Sequence, residues 1–133
     1  MSLTKEKTYF EVKPSQIKGA GMGLYTKKEF KKGQRIVEYK GKMKKWIDVN
    51  DGTGRNKYLL YIDKNHVIDA EFSLDTFGRY ANDAKGPGKN LFKNNAMYLI
   101  EGKKVFLMAK RKILAGEEIF VGYGKEYWEN VDL

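Results

Sequence analysis

The sequence predicts one mainly β domain, of the β-rich α+β class. Three observations lead there. Short runs of strand type, each closed by Gly, Asn or Asp, fill most of the chain, and helical periodicity is scarce. A length of 133 residues with 41% hydrophobic side chains suffices for one buried core and falls short of two ordinary domains, so a single domain over residues 1–133 is expected.

The elements follow in order. "TYFEVKPS" (8–15) alternates as a strand and ends at Pro14-Ser15. "GLYTKK" (23–28) leaves a turn made by Gly21-Met22-Gly23, and "QRIVEYKG" (34–41) leaves the Lys32-Gly33 turn. "YLLYIDKN" (58–65) and "HVIDA" (66–70) flank a turn rich in Asp and Asn, with His66 at a strand end. "TFGRYAND" (76–83) has room for one short helical turn, and residues 85–95 form a Gly- and Lys-rich loop. "NAMYLIEGKKVFLMAKR" (95–111) reads as a hairpin around Glu101-Gly102-Lys103, apolar at alternate positions on each arm. "EEIFVGYG" (117–124) is a last strand and "KEYWENVDL" (125–133) a terminal turn. Neither a repeat nor a linker interrupts the series.

Composition excludes several chemistries. The absence of cysteine removes disulfides and thiolate metal sites and fits a reducing compartment. A single histidine rules out a His-rich metal site or a His-based triad, so no metal is expected. No apolar run approaches the ~20 residues of a membrane span, and no signal-peptide pattern opens the chain, so an intracellular protein without membrane contact is expected. The net charge of +9 would attract polyanions or acidic partners. The lysines are scattered ("KKEFKKG", "KGKMKK", "GKKVFLMAKRK"), which favours a solubilising surface and keeps nucleic-acid association as the alternative.

Gly33, Gly102 and Gly116 close turns, whereas Gly21 and Gly23 bracket Met22, so that the backbone there can approach a ligand. In "GRYANDA" (78–84), Asn82-Asp83 by itself is ordinary turn chemistry.

Taken in series, four stretches resemble the SET domains of lysine methyltransferases. "KGAGMGLYTKKEFKKGQRIVEYKG" (18–41) is similar to the opening of that family: a Gly-x-Gly turn, an apolar pair, a Lys-Gly turn and Glu-Tyr-x-Gly. "YLLYIDKNHVIDA" (58–70) is similar to its Tyr-Leu strand and Ile-Asp-Ala, and "GRYANDA" stands at its Arg-Phe-x-Asn-His-Ser. "AKRKILAGEEIFVGYG" (109–124) is similar to its closing motif. The resemblance covers residues 15–128, and the ending "YGKEYW" looks most like the minimal viral SET proteins. It implies a SET fold of several small twisted sheets, with a core over about residues 9–128 in which the C-terminal segment threads past Arg79–Asp83 like a knot.

The same resemblance implies an S-adenosylmethionine-dependent methyltransferase acting on the side-chain amine of a lysine in a histone or another protein. Ala20, Gly21 and Met22 would offer backbone to the cofactor; Tyr58, Arg79, Tyr80, Asn82 and Asp83 would contact it, and Trp128 would cover it. Tyr123 would be the catalytic tyrosine, aided by Tyr39, with Leu60, Val121 and Tyr127 along a lysine channel. Methyl transfer from a sulfonium to an amine needs orientation and a neutral nucleophile, which accounts for the lack of any triad or metal set. Deprotonating a lysine of pKa near 10.4 costs roughly 4 kcal/mol at pH 7.4, and an apolar aromatic channel beside a positive charge lowers that cost.

Two positions depart from the family pattern. Asp83 and Ala84 replace His-Ser, although "RYANDA" matches the Arg-Tyr-x-Asn-x-Ala of PR-type SET domains. Val121 stands two before Tyr123, where the family often has Phe or Tyr, which implies a roomier channel and multiple methylation. A SET-fold binding module for nucleic acid or an acidic partner, inactivated through Asp83, is the alternative reading. A local acidic groove for a basic substrate has Asp48, Asp51 and Glu101 as candidates.

Overall fold

The computed structural model describes residues 3–50, 58–85 and 91–122. Asp51, Tyr123, Tyr127 and Trp128, together with the expected terminal turn, lie outside the described residues. In chain order the described elements are α1 (Leu3–Tyr9), β1 (Phe10–Pro14), β2 (Met22–Thr26), β3 (Arg35–Glu38), β4 (Lys42–Lys44), α2 (Trp46–Val49), β5 (Leu59–Asp63) and β6 (His66–Asp69). A 3-10 turn (Gly78–Tyr80) and strands β7 (Ala96–Glu101), β8 (Lys104–Ala109) and β9 (Glu118–Ile119) complete them.

The strands make three small three-stranded sheets, ordered β1-β2-β9, β3-β8-β7 and β4-β6-β5, and every pairing within them is antiparallel. The β7–β8 hairpin pairs Glu101 with Lys104 across Gly102-Lys103, where the sequence centres the turn, and Gly102 adopts a φ of 60°. The turn between β5 and β6 is built by the Asp63 carboxylate, which accepts from the Asn65 amide at 2.9 Å and pairs with the His66 ring at 2.8 Å. That contact with His66 holds the Asp63 carboxyl below its ordinary range.

Two helical segments depart from the expectation. Leu3–Tyr9 is helical, and the strand expected from Thr8 starts at Phe10. Such a short helix has little stability of its own, so tertiary contact must hold it. Buried Glu6 lies 3.8 Å from the Lys40 ammonium, and the Tyr9 carbonyl accepts from the Lys27 amide at 2.7 Å. The single turn α2 is fixed by Trp46, whose ring meets Tyr61 edge-on at 5.5 Å.

One apolar cluster joins all three sheets. It includes Leu24 and Ile119 from the first, Val37, Val105 and Leu107 from the second, and Ile68 from the third. Gly78 shows how tightly the 3-10 turn is seated, because a Cβ there would lie 2.9 Å from the Glu38 carbonyl oxygen and 3.0 Å from Tyr39 Cα. The third motif is thereby pressed against the end of β3. Among the described residues no helix is long and apolar enough to cross a membrane.

Candidate active site

The glycine turn precedes β2. The Ser15 amide donates to the Gly21 carbonyl at 2.8 Å and closes the loop, while Gly21 takes a φ of 74° that a side chain would strain. A Cβ at Gly21 would meet nothing within 4 Å, so this backbone borders open space. Gly23 serves another purpose than ligand approach: a Cβ there would fall 2.3 Å from Glu118 Oε2. Its missing side chain makes room for a carboxylate of the protein itself.

Glu118 is 1% exposed, and its carboxylate accepts from Ser15 Oγ at 2.7 Å and from the Gln16 amide at 2.8 Å. The closing motif therefore grips the loop that leads into the glycine turn. Tyr25 sits opposite Glu118 across the β2–β9 pair and donates to the Pro14 carbonyl at 2.8 Å. Burial, followed by the neighbouring Glu118 charge, pushes the Tyr25 hydroxyl up to about 12, above its ordinary 10.0. Since the folded value is the higher one, the stabilisation is complete below pH 10.0 and is lost as pH climbs through about 12. Melting curves from pH ~9 to ~12 are expected to fall less steeply for Tyr25→Phe than for the unsubstituted chain, and equal slopes would remove Tyr25 from the account.

The third motif crosses above this turn. Arg79, 6% exposed, lies over the Tyr58 ring at 3.8 Å and the Tyr80 ring at 4.9 Å, and its Nη2 donates to the Glu71 carbonyl at 3.2 Å. Its buried Nε has no hydrogen-bond acceptor among the described residues. Asn82 Nδ2 donates to the Met22 carbonyl at 2.9 Å, tying the third motif to the glycine turn. Ala20 packs against the small cluster of Ile17, Ala84 and Phe120, so the two segments also share an apolar contact.

The Asp83 side chain is turned into the protein: it is 2% exposed, and its Oδ1 accepts from the Lys85 amide at 2.9 Å and from Asn94 Nδ2 at 3.0 Å. A buried carboxylate must find donors, and these local ones draw it inward.

Residues 118–122 run between two other segments. On one side the Val121 amide donates to the Asn82 carbonyl at 2.8 Å. On the other, the Asn95 and Ala96 amides both donate to the Phe120 carbonyl, at 3.0 and 2.9 Å. Buried Asn95 adds its side chain, accepting from the Phe120 amide and donating to the Glu118 carbonyl, each at 2.9 Å. Val121 is fully buried in the main cluster, so it supports any channel from beneath.

Tyr39 is buried, donates its hydroxyl to the Tyr58 carbonyl at 2.8 Å, and meets Tyr98 edge-on at 5.9 Å. Tyr58 and Leu60 are half-buried against the main cluster. The structure thus gathers Ala20, Met22, Asn82 and Val121 into one junction, and Tyr39, Tyr58, Arg79 and Tyr80 into another. Sequence reasoning missed Glu118, Asn94, Asn95 and Tyr98. Asn94 and Asn95 read as turn residues, while Glu118 and Tyr98 stood within expected strands with nothing to mark their contacts. The expected acidic groove is weakened by Glu101, whose carboxylate pairs with Arg35. Among the described residues no group of His, Cys, Asp or Glu is placed to hold a metal. A separate cleft of about 630 Å³ opens on the outer face of the first sheet, lined among others by Lys13, Gln16, Tyr25 and Phe92, and none of the expected site residues lines it.

Three small antiparallel sheets closed by a strand laid beside the third motif define the SET architecture. The methyltransferase domain of human PR domain-containing protein 2 has the same fold, with a TM-score of 0.62 over 87% of this chain and 77% of that one, at 23% identity. The SET domain family matches residues 21–124, and the chain belongs to that family. Among sequence relatives, the N-lysine methyltransferase KMT5A-A of Danio rerio is 32% identical over 122 residues, covering 81% of this chain and 33% of that protein. The histone-lysine N-methyltransferase trithorax of Drosophila virilis is 29% identical over 109 residues, 77% of this chain and 3% of that protein. The chain spans about a third of the length of the N-lysine methyltransferases it matches.

Proposed function

We propose that this chain is a protein-lysine methyltransferase that uses S-adenosylmethionine. The observation that carries the reading is the convergence of the glycine turn, the third motif and the closing segment on Asn82, through Met22 at 2.9 Å and Val121 at 2.8 Å, in a SET-family chain. The relatives are named as methyltransferases of lysine, one group of them as histone-lysine enzymes.

The residues fit the cofactor. Arg79 is a buried cation whose charge meets two aromatic faces and one carbonyl, and its Nε lacks an acceptor among the described residues. A ligand carboxylate is the group such a site wants, and S-adenosylmethionine carries one. The backbone of Ala20, Gly21 and Met22, at the border of open space, would hold the same ligand together with Tyr58, Tyr80 and Asn82, and Trp128 would cover it. Once bound, the cofactor supplies a methyl group on a positive sulfonium.

The protein's remaining task is the lysine. Tyr123, aided by Tyr39 and set in a channel with Leu60 and Tyr127 above buried Val121, would orient the amine in line and exclude water. That environment disfavours the ammonium, since desolvation and like charge act in the same direction. The substrate would be a protein with an exposed lysine, a histone or another.

The test is transfer of labelled methyl from S-adenosylmethionine to a panel of histones and cell lysate. Tyr123→Phe is expected to lower the rate at least about 100-fold, the scale of losing one positioned catalytic group. A variant with full activity would remove Tyr123 from the catalytic role, and a chain inactive on every substrate that also fails to bind the cofactor would overturn the reading.

A further inference from the structure

We propose that Asp83 and Asn94 form a side-chain clamp that positions the third motif for the cofactor. The inference rests on the reading of this site as an S-adenosylmethionine site. Asn94 uses both ends of its amide: Nδ2 donates to Asp83 Oδ1 at 3.0 Å, while Oδ1 accepts from the Ala84 amide at 2.8 Å. One side chain thus holds the carboxylate of one residue and the backbone of the next. The same Asp83 Oδ1 also takes the Lys85 amide at 2.9 Å, which fixes the turn that follows.

The clamp lies among the parts of the site. Ala84, which it holds, packs with Ile17 and Phe120, the cluster that supports Ala20 of the glycine turn. Asn82, next to Asp83, reaches the Met22 carbonyl. The closing segment passes against the same amide, because a Cβ at Gly122 would lie 3.3 Å from Asn94 Nδ2. Asp83 is 2% exposed, so a rearrangement that breaks these bonds takes donors from a carboxylate held away from water. The segment 82–84 therefore has one favoured conformation, and the loop carrying Asn94 sets it. Asn94 and Asp83 are positioning residues: they act on the cofactor through Asn82 and Ala84.

A donor–acceptor pair of this kind is interchangeable, which gives the test. Calorimetry on the full chain measures the Kd for S-adenosylmethionine. Asn94→Ala and Asp83→Ala are each expected to raise it about tenfold, the effect of losing one hydrogen bond to a charged group. The double variant is expected to lie within about twofold of the weaker single one, as members of one unit do. The KM for the cofactor rises by the same factor, while kcat at saturation changes less than about threefold, a split that general destabilisation does not produce.

Asn94→Asp alone sets two carboxylates together and is expected to bind worst. Combining it with Asp83→Asn restores a donor facing an acceptor and keeps an acceptor for the Ala84 amide. One atom of residue 83 serves both Asn94 and the Lys85 amide, so the latter loses its acceptor and the Kd is expected to return to within about tenfold of the unsubstituted value. This exchanged pair decides the matter if the alanine variants fail to fold. An exchanged pair that binds no better than Asn94→Asp overturns the clamp. Unchanged binding by Asn94→Ala overturns the clamp alone, whereas no binding by the unsubstituted chain overturns the functional reading and the clamp's role with it.

Discussion

Arg79→Met is expected to weaken S-adenosylmethionine binding roughly 100-fold, the equivalent of about 3 kcal/mol for a lost charge-assisted pair, while the free protein melts within a few degrees of the unsubstituted chain. The two halves of this expectation have separate causes. In the free protein the guanidinium is buried and stacked between Tyr58 and Tyr80, and its Nε is unmatched among the described residues. Replacing a buried, poorly compensated charge with an apolar side chain of similar length is often neutral for stability. The loss appears only when an anionic ligand should be held. Arg79→Lys is expected to recover little, because an ammonium lacks the planar face and the fork of donors. Calorimetry and thermal melting on the same samples check both halves. Cofactor affinity that survives Arg79→Met would falsify the carboxylate assignment.

Glu118→Ala is expected to destabilise the fold by about 3 kcal/mol or more and to weaken the cofactor site with it. The substitution leaves the Gln16 amide and the Ser15 hydroxyl without their acceptor and opens a void beside Gly23. Gly23→Ala alone is expected to cost a comparable amount, because its Cβ would sit 2.3 Å from the carboxylate. Together the two substitutions should be less harmful than their sum, since the new methyl occupies space the carboxylate has left. Denaturant unfolding of the two single variants and the double variant measures the coupling, and strict additivity would show that the residues do not contend for one space.

Much of the fold was legible because it rests on local rules. The β7–β8 hairpin and the helical turn at Gly78–Tyr80 follow from alternation and turn residues. The helices at Leu3–Tyr9 and Trp46–Val49 did not follow, because each is held by tertiary contacts, such as Glu6 near Lys40 and Trp46 against Tyr61. At the site, the resemblance to SET domains implies that Met22 and Asn82 serve one ligand. The bond between them, across 60 positions of sequence, is visible only in the folded chain. The orientation of the Asp83 side chain was not legible for a related reason: whether a carboxylate faces out or in depends on donors such as Asn94, which arrive from elsewhere. Asn94 and Asn95 have the composition of turns and Glu118 that of a strand edge, yet all three act as internal ligands of the backbone.

The placement of residues 118–122 also bears on how the molecule assembles. Their partners come from Ser15-Gln16, Asn82 and Asn95-Ala96, so this segment can dock only after those distant parts have met. Contacts of such long sequence separation form late and slowly. The junction of glycine turn, third motif and closing segment is therefore expected to form together with the domain as a whole. The amide protons of Phe120 and Val121 should exchange with solvent only through global unfolding, at rates that report the stability of the whole domain.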